Sequence, residues 1–226
     1  MDIERIRKHF DEEASSYDGL IDRLIPHYQE QHEVMARLSP FDGETQFKAL
    51  DLGSGTGALA HTLLQSFPQA NVCAYDLAEN MLEVCKTRLS AFPDRVTFIH
   101  GDFAVDAIGS GYDVIVSGFA IHHLTHQKKK ELFERIFCAL NPGGILLIRD
   151  IVLGATPALT ELYGRLWREF MRSNGEDDSA WFEKYLNEDI PATVEDQTIW
   201  LRNAGFIDVA CHWRYFNFAI FGGRRP

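Results

Sequence analysis

The sequence contains few cysteines, little basic charge and no long hydrophobic run. No window approaches about 18 consecutive apolar residues, so we expect no membrane-spanning helix. The N-terminal segment is charged throughout and has no apolar signal-peptide core, which favours a cytoplasmic location. The four cysteines lie far apart without a C-x-x-C pair, so we interpret them as small buried apolar residues of a protein in a reducing compartment: Cys73, Cys85, Cys138 and Cys211.

Basic residues are outnumbered, because 22 lysines and arginines stand against 33 aspartates and glutamates, for a net charge of −11. Nucleic-acid-binding proteins usually present a basic surface, so this balance argues against a nucleic-acid partner. The basic clusters are short, and we expect the lysine run 128–130 beside His126 to lie on a solvated surface. No group of cysteine, histidine and aspartate has metal-ligand spacing, so no metal is predicted.

Strand-like and helix-like patterns alternate along the chain. Strands are predicted over 47–52, 70–76, 95–103, 112–120 and 145–152, and helices over 57–67, 78–92 and 128–144. Because parallel strands need crossover connections, this order predicts an α/β fold with a doubly wound, mostly parallel, Rossmann-like seven-stranded sheet. A helix that ends at Gly205 precedes two closely spaced strands, 206–215 and 216–222, which predict a C-terminal antiparallel hairpin.

We expect one domain over residues 1–226, with four parts. These are an N-terminal helical cap at 1–45, a cofactor-binding core at 46–153, a helical insertion at 154–196, and a final helix with the hairpin at 197–226. In the cap, Ile3, Ile6 and Phe10 follow helical spacing, with a break expected at 17–19 and a helix start at Pro26. The insertion is rich in aromatic residues, which leaves open a cap over an active site or a homodimer interface.

The segment D-L-G-S-G-T-G, from Asp51 to Gly57, follows the first predicted strand and opens a helix. In a doubly wound sheet this position lies at the carboxyl edge, where ligands bind. Gly53, Gly55 and Ala58 also match a loose G-x-G-x-x-A pattern, so the loop alone leaves an NAD(P)-dependent oxidoreductase open. However, Asp51 would repel a pyrophosphate, whereas it suits a cofactor with an ammonium and a sulfonium group.

Two further acidic positions narrow the choice of cofactor. Asp76 ends the second predicted strand, where a carboxylate can accept hydrogen bonds from both ribose hydroxyls, as it also can in NAD enzymes. Asp102 and Phe103 follow the third strand, where a carboxylate beside an aromatic ring can bond an adenine amino group and cover the ring. Dinucleotide-binding domains do not usually need this pair, so it favours another adenosyl cofactor.

With these motifs the sequence resembles the class I S-adenosylmethionine-dependent methyltransferases. The matching segments are DLGSGTG, AYDLAENML, GDF at 101–103, FAIHHL, LNPGGILLI, the terminal hairpin and the entry segment HFDEEASSYD. The resemblance covers essentially the whole chain, is weakest over 154–196, and implies S-adenosyl-L-methionine as the cofactor. The residues that would bind it are Tyr17, Asp51, Gly53, Ser54, Gly55, Gly57, Asp76, Leu77, Met81, Gly101, Asp102, Phe103, Ser117, Gly118 and Phe119.

The C-terminal half also resembles the branch that includes carboxy-S-adenosylmethionine synthase, an enzyme of tRNA wobble-uridine modification. In that branch an arginine four residues before an A-G-F turn holds the extra carboxylate of the cofactor. The matching position in this chain is Trp200, and a buried carboxylate without its charge partner would be costly. Ordinary S-adenosylmethionine and methyl transfer to a small-molecule acceptor are therefore the favoured interpretation, and carboxy-S-adenosylmethionine synthesis is the alternative.

Methyl transfer is a displacement on an already activated carbon, so it requires no catalytic triad. His122 or His123 is a candidate general base, although a histidine here can equally cap a helix or pack beneath the loop. A protein that binds the cofactor without catalysis is a further alternative. The substrate pocket is predicted to contain Tyr28, Trp167, Met171, Trp181, Tyr185 and Trp200.

Overall fold

The structure, a computed structural model, describes residues 7–8, 10–12, 14 and 17–226. Ile3, Ile6 and part of the HFDEEASSYD segment lie outside these residues. The helices are α1 Tyr17–Leu24, α2 Tyr28–Leu38, α3 Ala58–Ser66, α4 Glu79–Arg88, α5 His126–Ala139, α6 Pro157–Ser173, α7 Asp178–Glu188 and α8 Val194–Asn203, with a short 3-10 turn at Ile121–His123. Within the described ranges, no helix combines the length and apolar character needed to cross a membrane.

Seven strands form one mixed sheet. They are β1 Phe47–Leu52, β2 Ala70–Asp76, β3 Val96–His100, β4 Tyr112–Gly118, β5 Leu140–Ile151, β6 Ile207–Tyr215 and β7 Phe218–Arg224, and their order in the sheet is β3-β2-β1-β4-β5-β7-β6. Strands β1 to β5 are parallel, whereas β7 pairs antiparallel with both β5 and β6. The predicted fold class, including the C-terminal hairpin, is therefore confirmed.

Helices cover both faces of the sheet, because alternate side chains of the central strands point to opposite sides. On one face, Leu50 and Ile115 pack with Phe133 of α5. On the other face, Ala49 and Val114 lie in the core with residues of α2, α3 and α4. Burial on both sides explains the continuous apolar run of residues 114–116 in β4.

The first two helices and the insertion pack together at the carboxyl edge of the sheet. Ile21 and Leu24 of α1 share an apolar cluster with Trp167 and Met171 of α6. The indole Nε1 of Trp167 donates a hydrogen bond of 2.8 Å to the carbonyl of Leu24. Two segments more than a hundred residues apart in sequence are thereby held beside the ends of β4 and β5.

Several sequence-based boundaries differ from the structure. Residues 17–19 form the first turn of α1 rather than a break, and the chain turns instead at 25–27, around Pro26. The N-P-G-G segment belongs to the irregular start of β5, since Leu140 already pairs with Tyr112. Cys138 and Cys211 are exposed, so only Cys73 and Cys85 fit the buried interpretation.

Candidate active site

The glycine loop forms a turn between β1 and α3. Gly53 has φ of 72° and Gly55 has φ of 53°, a left-handed region that side chains rarely tolerate. A Cβ at Gly53 would lie 2.3 Å from the Cβ of Ala120, whereas one at Gly55 would meet nothing within 4 Å. The backbone N–H groups of Gly53 and Ser54 both donate to the carbonyl of Tyr75, which ties the loop to β2. The loop therefore lets a ligand approach its backbone closely.

Asp51 lies beneath this loop and is almost completely buried. Its Oδ2 accepts a hydrogen bond of 3.1 Å from the N–H of Ala60, in the first turn of α3. Burial raises the pKa of Asp51 to about 7, against the opposing effect of the Arg149 charge. The carboxyl group thus supports the loop and also faces the cavity described below.

Asp76 lies at the carboxyl end of β2. One of its oxygens holds the backbone of the glycine loop, and the other holds the start of the turn that leads to α4. Oδ2 accepts a hydrogen bond of 2.7 Å from Gly55 N–H, and Oδ1 accepts one of 2.8 Å from Ala78 N–H. Burial raises the pKa of this carboxyl group. Each carboxylate oxygen retains a lone pair, so Asp76 can still accept two hydroxyl groups, as a ribose presents.

Asp102 and Phe103 lie next along the same edge, after β3. The Oδ1 atom of Asp102 accepts a hydrogen bond of 2.8 Å from the N–H of Ala104, which fixes the carboxylate. Phe103 is buried against the central core. Both side chains line the same cavity as Asp76.

These elements enclose a cavity of about 920 Å³, part of it open to solvent, which we call the cofactor cavity. Most of the predicted cofactor residues line it: Tyr17, Asp51, Gly53, Ser54, Gly55, Asp76, Leu77, Met81, Asp102, Phe103, Gly118 and Phe119.

Three predicted cofactor residues do not line this cavity. A Cβ at Gly57 would meet the sulfur of Cys85 at 2.5 Å, so this glycine allows α3 and α4 to pack. A Cβ at Gly101 would meet the Tyr75 hydroxyl, also at 2.5 Å. Ser117 is buried, and its hydroxyl donates to the carbonyl of Leu52 at 2.7 Å. All three support the site from behind.

A second cavity, of about 720 Å³, lies beside the first and is called here the aromatic cavity. Four of the predicted substrate residues line it: Trp167, Met171, Trp181 and Tyr185. Tyr28 lines the cofactor cavity instead. Trp200 lines neither, because its ring packs beside His126, 5.3 Å between centroids, with the Lys130 amine 5.2 Å from its centroid. The structure therefore places Trp200 apart from the other predicted substrate residues.

His122 lies in a buried acidic network at the edge of the aromatic cavity. Its Nδ1 forms a short contact with the Asp150 carboxylate, and its Nε2 is 3.6 Å from Asp189. Burial disfavours the charged ring, but Asp189 and Asp150 outweigh burial, so the pKa of His122 is raised. His123 contacts the same Asp189 oxygen at 3.0 Å and lines both cavities. The structure therefore brings both predicted histidines to the boundary between the cavities.

Lys129 is fully buried, which corrects the expectation that the whole lysine run lies on a solvated surface. Its amine donates to three backbone carbonyls, those of His122, Leu124 and Ile190. Burial lowers its pKa to about 8. This lysine connects the histidine turn to the end of the insertion and fixes one wall of the site.

One potential metal-ligand group occurs within the described ranges. His122, His123 and Asp189 offer nitrogen and oxygen atoms that lie within 4.8 Å of one another. The approach of both histidines to one Asp189 oxygen, at 3.6 Å and 3.0 Å, already explains their proximity. That the protein binds no metal stays a prediction.

Sequence reasoning missed several residues of the site. Arg149 lines the cofactor cavity, and Asp150 and Asp189 flank His122. The sequence does contain a signal for Arg149 and Asp150, because an adjacent Arg-Asp pair at the carboxyl end of an otherwise apolar strand is unusual. Asp189 had no such signal, since it reaches the site only through the folding of the insertion.

Comparisons with known proteins identify relatives that share this sequence pattern and this fold. A methyltransferase domain model matches residues 49–144. The carboxy-S-adenosyl-L-methionine synthase of Nautilia profundicola is 27% identical over 216 residues, covering 94% of this chain and 92% of the relative. The demethylmenaquinone methyltransferase of Clavibacter sepedonicus is 30% identical over 210 residues, covering 88% of this chain and 81% of the relative.

A solved O-methyltransferase family protein from Burkholderia thailandensis has the same fold, with a TM-score of 0.69 at 20% identity. The alignment covers 96% of this chain but only 61% of that protein. The fold, the site and the sequence relatives together place the chain among the enzymes that bind an adenosyl cofactor on a Rossmann-like sheet. Within that class, the chain belongs to the class I S-adenosylmethionine-dependent methyltransferases.

The cofactor of this family fits the residues that are present. The free lone pairs of Asp76 suit a ribose, Asp102 with Phe103 suits an adenine, and the glycine loop leaves open space at Gly55. The buried Asp51 carboxyl faces the same cavity, where it can accept a hydrogen bond from an ammonium group. S-adenosyl-L-methionine would therefore extend from the end of β3 towards the ends of β4 and β5.

Proposed function

We propose that this chain transfers the methyl group of S-adenosylmethionine to a small organic acceptor held in the aromatic cavity. The main support is that the two cavities adjoin and share four lining residues, Phe10, Tyr17, Phe119 and His123. An acceptor in one cavity can thus face a cofactor in the other. The net charge of −11 further favours a small molecule over a nucleic acid as the acceptor.

The aromatic cavity suits a molecule with planar or apolar parts. Trp167 and Tyr185 meet edge to face, with ring centroids 5.3 Å apart, and Trp181 is half-buried in the same wall. Aromatic walls bind flat apolar groups at little entropic cost, because their side chains have few rotatable bonds. These side chains would orient the acceptor and exclude water from it.

In this proposal His122 accepts the proton of an acceptor hydroxyl. Because Nδ1 faces the Asp150 carboxylate, the neutral ring carries its proton on Nδ1 and leaves Nε2 as the proton acceptor. Nε2 points towards Asp189, which also lines the aromatic cavity. The bound cofactor supplies an electrophilic methyl group, so the remaining task of the protein is orientation, which can contribute about 7–11 kcal/mol.

Synthesis of carboxy-S-adenosylmethionine is the second candidate function. It is supported by similarity to such synthases over 94% of this chain. Trp200 argues against it, because it occupies the position of the arginine that holds the extra carboxylate in that branch. In this structure the Trp200 ring lies beside His126, outside both cavities.

The test is a screen for radiolabelled methyl transfer to phenols, thiols and amines of small size. With the best acceptor, Trp181→Ala should raise KM about tenfold, because an aromatic contact is lost at the cavity wall. Trp200→Ala is the matched control, since this half-buried tryptophan lines neither cavity. Its KM should stay at the wild-type value. Equal effects of the two substitutions, or carboxy-S-adenosylmethionine as the sole product, would refute the proposal.

A further inference from the structure

Arg149 is a buried cation that the proposed reaction does not use. It lies near the carboxyl end of β5, between Gly118 of β4 and Ile220 of β7, and is only 3% exposed. A Cβ at Gly118 would come within 2.9 Å of its Nη2 atom. The absence of a side chain at Gly118 therefore makes room for the guanidinium in the wall of the cofactor cavity.

Two aromatic rings hold the guanidinium in place. Its central carbon is 4.6 Å from the ring centroid of Tyr28 and 4.7 Å from that of Phe119. The two rings are nearly parallel, with an interplanar angle of 18°. Such cation–π contacts stabilise the charge from the ring faces.

The N–H donors of Arg149 are incompletely paired. Within the described part of the chain, Nε and Nη1 are buried and have no hydrogen-bond partner. The charge of Arg149 lowers the pKa of Asp51, but burial outweighs this effect and raises that pKa to about 7, so Asp51 is a weak counter-ion for the guanidinium. A buried guanidinium with two unpaired donors and only a weak counter-ion is costly, which favours a negatively charged ligand at this position.

The position of Arg149 separates it from the nucleoside end of the cofactor cavity. Strands β2 and β5 are three places apart in the sheet, which corresponds to about 14 Å between Asp76 and Arg149 along the edge. Phe119, which Arg149 contacts, belongs to both cavities. Arg149 therefore lies where the cofactor cavity meets the aromatic cavity, which we call the transfer end.

We propose that Arg149 binds a carboxylate at the transfer end, carried either by the methyl acceptor or by the carboxymethyl group that replaces the sulfonium methyl group in carboxy-S-adenosylmethionine. The planar fork of a guanidinium matches the two oxygens of a carboxylate, and such pairs are strong when water is excluded. The proposal rests on the proposed function, because the acceptor would occupy the aromatic cavity. It adds the chemical class of the ligand, an organic carboxylate.

Calorimetric titration separates the two sources. Wild type, Arg149→Gln and Arg149→Lys are titrated with S-adenosylmethionine, S-adenosylhomocysteine and carboxy-S-adenosylmethionine. If the cofactor carries the carboxylate, Arg149→Gln weakens only carboxy-S-adenosylmethionine, by about tenfold or more. The lysine variant should recover part of that loss, because it keeps the charge but not the fork.

If the acceptor carries the carboxylate, all three cofactor affinities stay unchanged in the variants. Protein saturated with S-adenosylhomocysteine is then titrated with 4-hydroxybenzoate and with its methyl ester. Wild type should bind the acid about tenfold more tightly than the ester, and Arg149→Gln should abolish that preference. These are binding measurements, so they remain informative even if no acceptor is methylated.

Two results would overturn the proposal. Equal weakening of all three cofactor ligands in Arg149→Gln would assign Arg149 to the methionine carboxylate. A wild-type protein that prefers neither carboxy-S-adenosylmethionine over S-adenosylmethionine nor 4-hydroxybenzoate over its methyl ester would leave Arg149 with a structural role only. The second comparison needs no variant, so it stands even if substitution at Arg149 prevents folding.

Discussion

The cofactor cavity and the aromatic cavity adjoin, but they are built differently. The cofactor cavity is formed mainly by turns that follow β1, β2, β3 and β4, and backbone groups of those turns are fixed by Asp76 and Asp102. The aromatic cavity is formed largely by side chains of helices α1, α6 and α7, from distant parts of the chain. The first therefore depends on local motifs, whereas the second depends on how the insertion packs.

This difference suggests a division of labour. A cavity made of strand ends holds its ligand with fixed backbone geometry, which suits a cofactor common to a whole family. A cavity made of helical side chains changes its shape when single residues change, which suits selection among acceptors. Substitutions in one cavity should then leave the ligand of the other cavity largely unaffected.

The largest expected effect concerns catalysis on the aromatic side. His122→Gln should lower kcat by about 10²–10⁴-fold, because a positioned general base is lost. The affinity for S-adenosylhomocysteine should stay at the wild-type value, since His122 does not line the cofactor cavity. Steady-state kinetics and calorimetry measure the two quantities on the same preparations.

His126→Gln is the matched control for this experiment, because His126 is exposed and lines neither of the two cavities. It should leave both kcat and cofactor affinity unchanged. A normal kcat in His122→Gln would remove the proposed base. A large loss of cofactor affinity in that variant would break the distinction between the cavities.

A smaller effect is expected at Asp76, where substitution should change the affinity for the cofactor and leave the acceptor unaffected. Asp76→Asn should weaken S-adenosylhomocysteine about ten- to a hundredfold, because charged acceptors for the ribose hydroxyls are replaced by a neutral amide. Calorimetric titration measures this loss, with the exposed Asp94→Asn as control. At saturating cofactor the KM for the acceptor should be unchanged. A raised acceptor KM would show that the two cavities do not act separately.

The smallest expected effect is a shift of pH dependence. Asp189 helps to raise the pKa of His122, and only the neutral ring can accept a proton. Asp189→Asn should therefore move the acid limb of the kcat profile to lower pH, by about one unit. The exposed Asp208→Asn should leave the profile in place. A shift to higher pH would contradict the assignment of His122.

The raised pKa of His122 also affects the stability of the fold. The folded-state pKa of His122 lies above its unfolded value, so its charge stabilises the fold fully below the unfolded pKa of about 6.5. That contribution is lost as pH rises through the folded-state pKa. The stability difference between wild type and His122→Gln, measured by urea unfolding, should therefore decrease as pH rises.

The sequence predicts the cofactor side well because its determinants are local. The bounds of β1 match those expected, and Asp76 lies at the end of β2 as its position after the glycine loop indicates. A strand, a glycine turn and an acidic strand end each follow from a few neighbouring residues. Topology then places these turns at one edge of the sheet, without any knowledge of long-range packing.

The aromatic side is predicted only in part because long-range packing decides it. An excess of aromatic residues identifies the insertion, and Trp181 does line the cavity, but Trp200 packs beside His126 instead. Lys129 looks like part of a solvated run until the carbonyls that surround it are known. Helical spacing alone cannot show which buried partner a side chain meets.

The central claim is that one active site spans the two cavities, and a crystal structure with S-adenosylhomocysteine tests it most directly. The ribose hydroxyls should lie within hydrogen-bond distance of the Asp76 carboxylate. The sulfur should lie beside Phe119, with an open path to the aromatic cavity. A sulfur separated from the aromatic cavity by protein atoms would contradict the claim.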